Sequence, residues 1–177
     1  MPANSFINFG TDVKIGESVQ AARVGTSGWI ELDDWSWDIE ADHSNLKGTG
    51  AAVGKPNPGT LNFTHSFDLS SPVIMNKIVQ GTFFATVKID MLKQTGAEQP
   101  QQFFQIIMGN VFITKVSTKG GEDGAVTQDV DMVFKEVSVG YKAQNPDGTL
   151  DKAPLQFNWN IAQMNLAVDA NATISFS

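Results

Sequence analysis

Strict alternation of apolar and polar residues is the feature that most constrains how this chain folds. In "LQFNWNI" the apolar residues are Leu155, Phe157, Trp159 and Ile161, and every residue between them is Gln or Asn. Alternate side chains of a strand lie on the same face, so this run predicts a strand with its apolar residues inside. "TLNFTHSFD" alternates in the same way, with His65 on the apolar side. Several such runs, separated by turn-forming residues, predict a sandwich or barrel.

Two runs change parity partway along. In "WIELDDWSWDIE", Ile30 and Leu32 share one parity, whereas Trp35 and Trp37 share the other. The change falls at Asp33-Asp34 and predicts a bulge or tight bend that re-aims the apolar face. A second change lies within "VTQDVDMVFKEVSVGY". We expect the tryptophans to be interior, and an exposed aromatic platform is the alternative.

One segment has the signals of a helix instead. In "SSPVIMNKIVQG", Ser71 is the expected N-cap, Pro72 the first helical residue and Gly81 the residue just past the end. Val73, Ile74, Lys77 and Ile78 follow helical spacing. We therefore predict one short helix whose apolar stripe rests on the sheet.

A long Gly- and Pro-rich stretch, "ADHSNLKGTGAAVGKPNPG", runs from residue 41 to residue 59. Its composition does not suit a core element, and its length does not suit a simple turn. Loops of this kind in compact domains are usually functional or disordered.

Composition excludes several classes of function. The net charge of −7 and the absence of cysteine argue against a nucleic-acid binder, disulfides and thiolate chemistry. No run of 18 apolar residues predicts a membrane span, and the N-terminus does not read as a cleaved signal peptide. His43 and His65 are the only histidines, and neither lies in a recognisable motif. We therefore expect no catalytic residue, no cofactor and no metal, with His65 a hydrogen-bonded polar residue.

The order of these motifs resembles one known family. "FINF" is followed by "IGES", "GWIEL", "WSWDI" and the long loop, and then by a helix entry at Phe63, Asp68, Ser71 and Pro72. "VFITKVSTKGG", "VDMVFKEVSVGYKAQNPDG" and "FNWNI" complete the set. Over residues 5 to 162 the chain resembles the Hcp (haemolysin-coregulated protein) family of bacterial type VI secretion systems. The apolar segment that follows the helix and the tail after Ile161 depart from the family pattern.

The resemblance implies a mainly β fold, a barrel of two packed antiparallel sheets with one short α-helix, related to phage tail tubes. It implies a barrel domain over residues 1–162 and a C-terminal extension over residues 163–177. It also implies a protein without enzyme activity, whose six-membered rings stack into a tube. A contractile sheath expels the tube behind a VgrG-type spike, with effector proteins in the lumen.

Three further expectations follow from the resemblance. The protein would be cytoplasmic before firing and extracellular afterwards, and like net charges would weaken stacking at low salt. The matching family loop reaches toward the next ring. Contacts between subunits and between rings would therefore use Asn45, Leu46, Lys47, Gly48, Gly50, Val53, Gly54, Lys55 and Pro56. The alternative is a monomeric β-sandwich that binds glycans or other ligands through Trp35, Trp37 or Trp159, and a hydrolase with an unrecognised site is a more distant one.

Overall fold

The structure, a computed structural model, describes residues 4–43 and 53–176. In that part of the chain it contains ten strands, one α-helix and four short 3₁₀ turns. The strands are β1 (Ser5–Asn8), β2 (Trp29–Glu31), β3 (Asp34–Ser36), β4 (Ile39–His43), β5 (Val53–Pro58), β6 (Leu61–Ser66), β7 (Phe83–Lys93), β8 (Gln101–Gly120), β9 (Val126–Tyr141) and β10 (Leu155–Asn160), and helix α1 is Ser71–Gln80.

Eight of the strands form one antiparallel sheet in the order β2-β1-β7-β8-β9-β6-β3, with β10 paired to the second half of β9. The outermost strands, β2 and β3, are consecutive in the chain. Leu32 donates its N–H to Ser5 O at 2.9 Å, on one side of the sheet, and Asp33 donates to Thr64 O at 2.9 Å, on the other. The sheet therefore curls until its two edges meet, which confirms both the mainly β barrel and the bend expected at Asp33.

The two predicted sheets are halves of this single continuous sheet. β8 has 20 residues and β9 has 16, so both strands run through both halves. The chain kinks at Asn110, whose φ is 53°, beside Gly109, which pairs with Glu136. At this level the core-facing parity changes on both strands, as the second parity change predicts for β9. Core residues on β8 are Ile106 and Met108 before the kink and Val111 and Ile113 after it.

Helix α1 packs one apolar face against the core. Ile74 is fully buried, and Val73 and Ile78 pack against the same cluster. The helix ends at Gly81, whose φ is 67°, as its sequence predicts. Its N-cap is Ser70 rather than Ser71, a shift of one residue that is normal at helix ends.

From Asp169 to Phe176, the C-terminal tail lies against the outer face of β7, β8 and β9. Thr86 donates its hydroxyl to Asn171 O at 3.0 Å, and Ser175 donates its N–H to Gln105 Oε1 at 2.9 Å. Ala172 is fully buried. The predicted extension therefore packs back onto the barrel, although the domain boundary at residue 162 remains a prediction.

Candidate functional site: surfaces for assembly

A two-stranded ribbon, separate from the main sheet, occupies part of the segment in which the long loop was predicted. β4 and β5 form a separate antiparallel pair, with Ile39 opposite Pro58 and Ala41 opposite Pro56. The base of the ribbon is fixed, because Trp37 Nε1 donates to Gly59 O at 3.1 Å and Gly59 donates its N–H to Asp38 O at 2.9 Å. The ribbon is therefore anchored at Trp37 and Asp38, the two residues between β3 and β4.

The loop prediction was wrong at both ends, since residues 41–43 and 53–58 are strands. Glycine and proline are depleted in strands, so their presence argued for a loop. Here Pro56 and Pro58 lie on a strand whose only partner in the described structure is β4. A Cβ at Gly54 would lie 2.9 Å from the carbonyl oxygen of Asp42, so the close pairing requires glycine.

The nine predicted contact residues divide into two groups. Five of them, Asn45, Leu46, Lys47, Gly48 and Gly50, lie outside the described residues. The other four, Val53, Gly54, Lys55 and Pro56, lie along β5. Their role in contacts remains a prediction.

An apolar groove of about 200 Å³ lies beside the ribbon. We call it the ribbon groove, and it is lined by Ile39, Pro56, Phe157, Trp159 and Leu166. The groove joins three parts of the chain that are far apart in sequence, namely the ribbon, β10 and the turn after β10. Sequence reasoning did not identify it, although the apolar face of β10 was visible as a pattern.

The inward face predicted for β10 is only partly buried. Trp159 is 8% exposed, but Phe157 is 40% and Leu155 is 81% exposed. Leu155 pairs with Tyr141 at the end of β9, where nothing in the described structure covers the sheet. The alternation predicted which side chains share a face of β10. It could not predict that no other part of the described structure packs on this face at Leu155.

The tryptophans Trp35 and Trp37 are half-buried and pack against the core. Trp35 stacks on Phe104 with ring centroids 5.6 Å apart, and Trp37 packs on Phe134 at 5.5 Å. A glycan platform needs open ring faces, whereas these rings already contact aromatic neighbours. The geometry therefore favours the interior interpretation over the platform.

The opposite face of the same strands is polar. Ser36 pairs with Asn62, and Asn62 pairs with Asp131, so the three form a row across β3, β6 and β9. Asn62 Nδ2 donates to Asp131 Oδ1 at 2.7 Å. A second row contains Asp34, Thr64 and Asp129. The two rows could not be predicted from the sequence, because the pairing of β3 with β6 and of β6 with β9 is known only from the strand register.

His65 is fully buried, and its Nε2 lies 2.9 Å from Gln128 Oε1. This confirms its predicted role as a hydrogen-bonded polar residue. Across residues 4–43 and 53–176, no group of three or more His, Asp or Glu side chains is arranged around a common metal position. The same part of the chain contains no helix long and apolar enough to cross a membrane.

Comparison with known proteins agrees with this architecture. The family described as "Type VI secretion system effector, Hcp" matches residues 6–141. Protein hcp1 of Pseudomonas aeruginosa is 33% identical over 165 residues, which cover 92% of this chain and 98% of that protein.

Solved structures agree as well. A structure described as a type six secretion system protein superposes with a TM-score of 0.80 at 22% identity, covering 91% of this chain and 97% of the other. Hcp1 from Salmonella typhimurium gives a TM-score of 0.68 at 18% identity, with 93% and 99% of the two chains covered. The family match, the curated relative and the shared fold together show that this chain belongs to the Hcp family of type VI secretion system proteins.

Proposed function

We propose that the chain is the subunit of a secretion tube, in which six copies form a ring and the rings stack. A contractile sheath drives the tube out of the cell behind a VgrG-type spike. The observation that carries the proposal is the uncovered apolar surface of β10 and the ribbon groove, next to a ribbon that is separate from the main sheet.

Exposed apolar area of this kind indicates an interface. Leu155 and Phe157 lie on an ordered strand, so burying them costs little further chain entropy. Burial would gain roughly 25 cal/mol for each Å² of apolar surface removed from water. We assign β10 to the seam between neighbouring subunits of a ring, and the β4–β5 ribbon to contacts between stacked rings.

The polar rows across β3, β6 and β9 suit the wall of a wet lumen. Ser36, Asn62 and Thr64 are small and polar, and Asp131 and Asp129 are held by hydrogen bonds from β6. Such a wall can form hydrogen bonds with cargo proteins and presents no apolar surface to which they would adhere. We propose that effector proteins contact this face during export.

Mass and shape in solution test the ring directly. Light scattering should give about six times the chain mass of 19.1 kDa, and negative-stain images should show six-fold rings. A Leu155→Ser, Phe157→Ser variant should be folded but largely monomeric, while Val79→Ser, on the exposed side of α1, should still form rings. A monomeric wild-type protein would contradict the proposal and favour a ligand-binding module.

The ribbon is tested by shortening it while keeping its base. Residues 42–55 are replaced by a brief Gly-Ser link, which preserves the Trp37–Gly59 hydrogen bond and the pairing of Ile39 with Pro58. Rings should persist, whereas tube formation and export should fall sharply. Sedimentation, electron microscopy and a secretion assay measure these outcomes, and normal tubes from this variant would show that stacking lies elsewhere.

A further inference from the structure

A row of apolar side chains crosses the outer face of the main sheet, and we call it the outer stripe (Phe83, Phe112 and Val133). Phe83 pairs with Phe112, and Phe112 pairs with Val133, so the three lie side by side on β7, β8 and β9. Each has a neighbour in the chain that belongs to the buried core, so alternation places the stripe on the outer face. Phe83 is 47% and Val133 is 36% exposed. The stripe is therefore an ordered apolar surface that the described chain leaves partly uncovered.

The stripe lies between two regions of different character on the same face. Toward the turn that joins β8 to β9, the next pair is polar, with Lys115 opposite Asp131. In the other direction the tail packs on the sheet, and Asn171 Nδ2 donates to Ala85 O at 3.1 Å. A contiguous exposed apolar surface with a polar rim is typical of a site at which another protein binds.

A ring requires two different surfaces on every copy. In a cyclic ring the contacts are heterologous, so a patch on one copy meets a different patch on the next. Leu155 and Phe157 share the parity of Trp159, which belongs to the core, so they lie on the inner face of the sheet. The outer stripe lies on the opposite face. Each copy can therefore pack between two neighbours, using β10 toward one and the stripe toward the other.

The charges beside the two surfaces have opposite signs. Lys135 lies two residues after Val133 on β9, is exposed, and forms no ion pair within the described chain. Ile39, which lines the ribbon groove, stands between the exposed carboxylates of Asp38 and Glu40. Opposite charges around two apolar surfaces favour their association in one register and disfavour contact of like surfaces.

We propose that the outer stripe of one subunit receives β10 of the next subunit in the ring. Leu155 and Phe157 pack on the rings of the stripe, and Lys135 faces the acidic base of the neighbouring ribbon. This inference rests on the proposed ring, and it identifies the second half of the seam. Covering the stripe also removes an apolar surface that would otherwise border the polar rows of the lumen wall.

Site-specific cross-linking tests the contact, and the chain has no native cysteine to interfere. Leu155→Cys and Phe83→Cys chains are produced together, so that rings contain both, and are treated with a short bifunctional maleimide. The mixed rings should give a product of twice the chain mass, because Leu155 of one copy meets Phe83 of the next. Rings of either variant alone should stay uncross-linked. A Leu155→Cys, Phe83→Cys double variant should give a ladder of products up to the full ring.

Controls separate this inference from the proposed ring itself. Light scattering first establishes that each cysteine variant forms rings, and the adjacent positions Tyr141→Cys and Val133→Cys replace either one that does not. Glu122→Cys, in the exposed turn after β8, should not cross-link to Leu155→Cys. Intact rings without a Leu155–Phe83 product, or with a product between two Leu155→Cys chains, would overturn the inference and leave the stripe to cargo. A monomeric wild-type protein would overturn the ring and the inference together.

Discussion

Arg23 Nε lies 2.8 Å from Asp90 Oδ2, and both side chains are buried. The pair joins the segment before β2 to the middle of β7. Arg23 Nη2 also donates to Gln102 Oε1 at 3.0 Å, and Gln105 Nε2 donates to Asp90 Oδ1 at 2.9 Å. Because Gln105 also accepts from Ser175, one polar network connects the N-terminal segment, two long strands and the C-terminal tail.

Removing one partner of this pair should be destabilising. Asp90→Asn leaves the Arg23 charge buried without a counter-charge, and we expect the free energy of unfolding to fall by about 1–3 kcal/mol, less than for most broken buried pairs, because burial already disfavours the ionised form of Asp90. Urea denaturation measures the change. An Arg23→Met, Asp90→Leu double variant should recover much of the loss, because no unpaired charge remains. A double variant as unstable as the single one would show that the network matters through its hydrogen bonds.

The same pair predicts a pH dependence. Burial raises the pKa of Asp90 above its ordinary value of 3.8, although the hydrogen bond from Gln105 and the charge of Arg23 act in the opposite direction. Between 3.8 and the raised value, the folded protein holds more protons than the unfolded chain, so stability from this group falls as pH rises. The difference in unfolding free energy between wild type and Asp90→Asn should therefore narrow as the pH rises above 3.8 and through the raised pKa of Asp90. If this stability difference widened as the pH rose, the predicted direction of the pH dependence would be wrong.

The barrel was predictable from the sequence because its signal is local. The parity change at Asp33 marks the point at which the chain leaves β1 and joins β6, and the second change marks the kink opposite Asn110. Both follow from which neighbouring residues are apolar. The sequence did not predict that the barrel is one continuous sheet. No local pattern shows that β8 and β9 are long enough to run through both halves.

The assembly surfaces and the tail were less predictable for a physical reason. The ribbon groove brings Ile39, Phe157 and Leu166 together through tertiary structure alone. The tail has no regular periodicity and is held by scattered hydrogen bonds, such as those of Asn171 and Ser175. The outer face of the strands does carry small residues, such as Gly109 and Gly140, where the tail packs. A small residue in a sequence does not by itself indicate which segment will pack against it.

The kink at Asn110 gives a prediction about backbone strain. Asn tolerates a φ of 53° better than most residues, and a β-branched side chain does not. Asn110→Val should lower the free energy of unfolding by about 1–3 kcal/mol, whereas Asn110→Gly should be neutral or slightly stabilising. Both variants lose the side-chain amide of Asn110, but only Asn110→Val strains the backbone. Comparing their thermal denaturation therefore separates backbone strain from the loss of side-chain contacts. Equal losses in the two variants would assign the effect to the amide.

Trp35 provides a test of both the core and the ring. It is half-buried and stacks on Phe104, so Trp35→Ala should cost about 2–4 kcal/mol, somewhat less than for a fully buried ring. In the assembled protein, the fluorescence emission of the tryptophans should be blue-shifted and poorly quenched by iodide. Strong quenching of all four in the assembled state would contradict the interior interpretation. The matched comparison is Trp35→Phe, which keeps the stacking and should retain most of the stability.

Docking of the C-terminal tail depends on the absence of a side chain at Gly140. A Cβ there would lie 2.8 Å from the ring of Phe176 and 2.9 Å from Ile174, closer than such contacts normally allow. Gly140→Ala should therefore displace the end of the tail while β9 stays paired, because the clash lies on the outer face. Limited proteolysis should cleave residues 170–176 several times faster than in the wild type, with little change in the unfolding transition of the barrel. Gly120→Ala is the matched control, since a Cβ at that position has nothing within 4 Å. Unchanged protection of the tail in Gly140→Ala would show that Asn171 and Ser175 are sufficient to hold it.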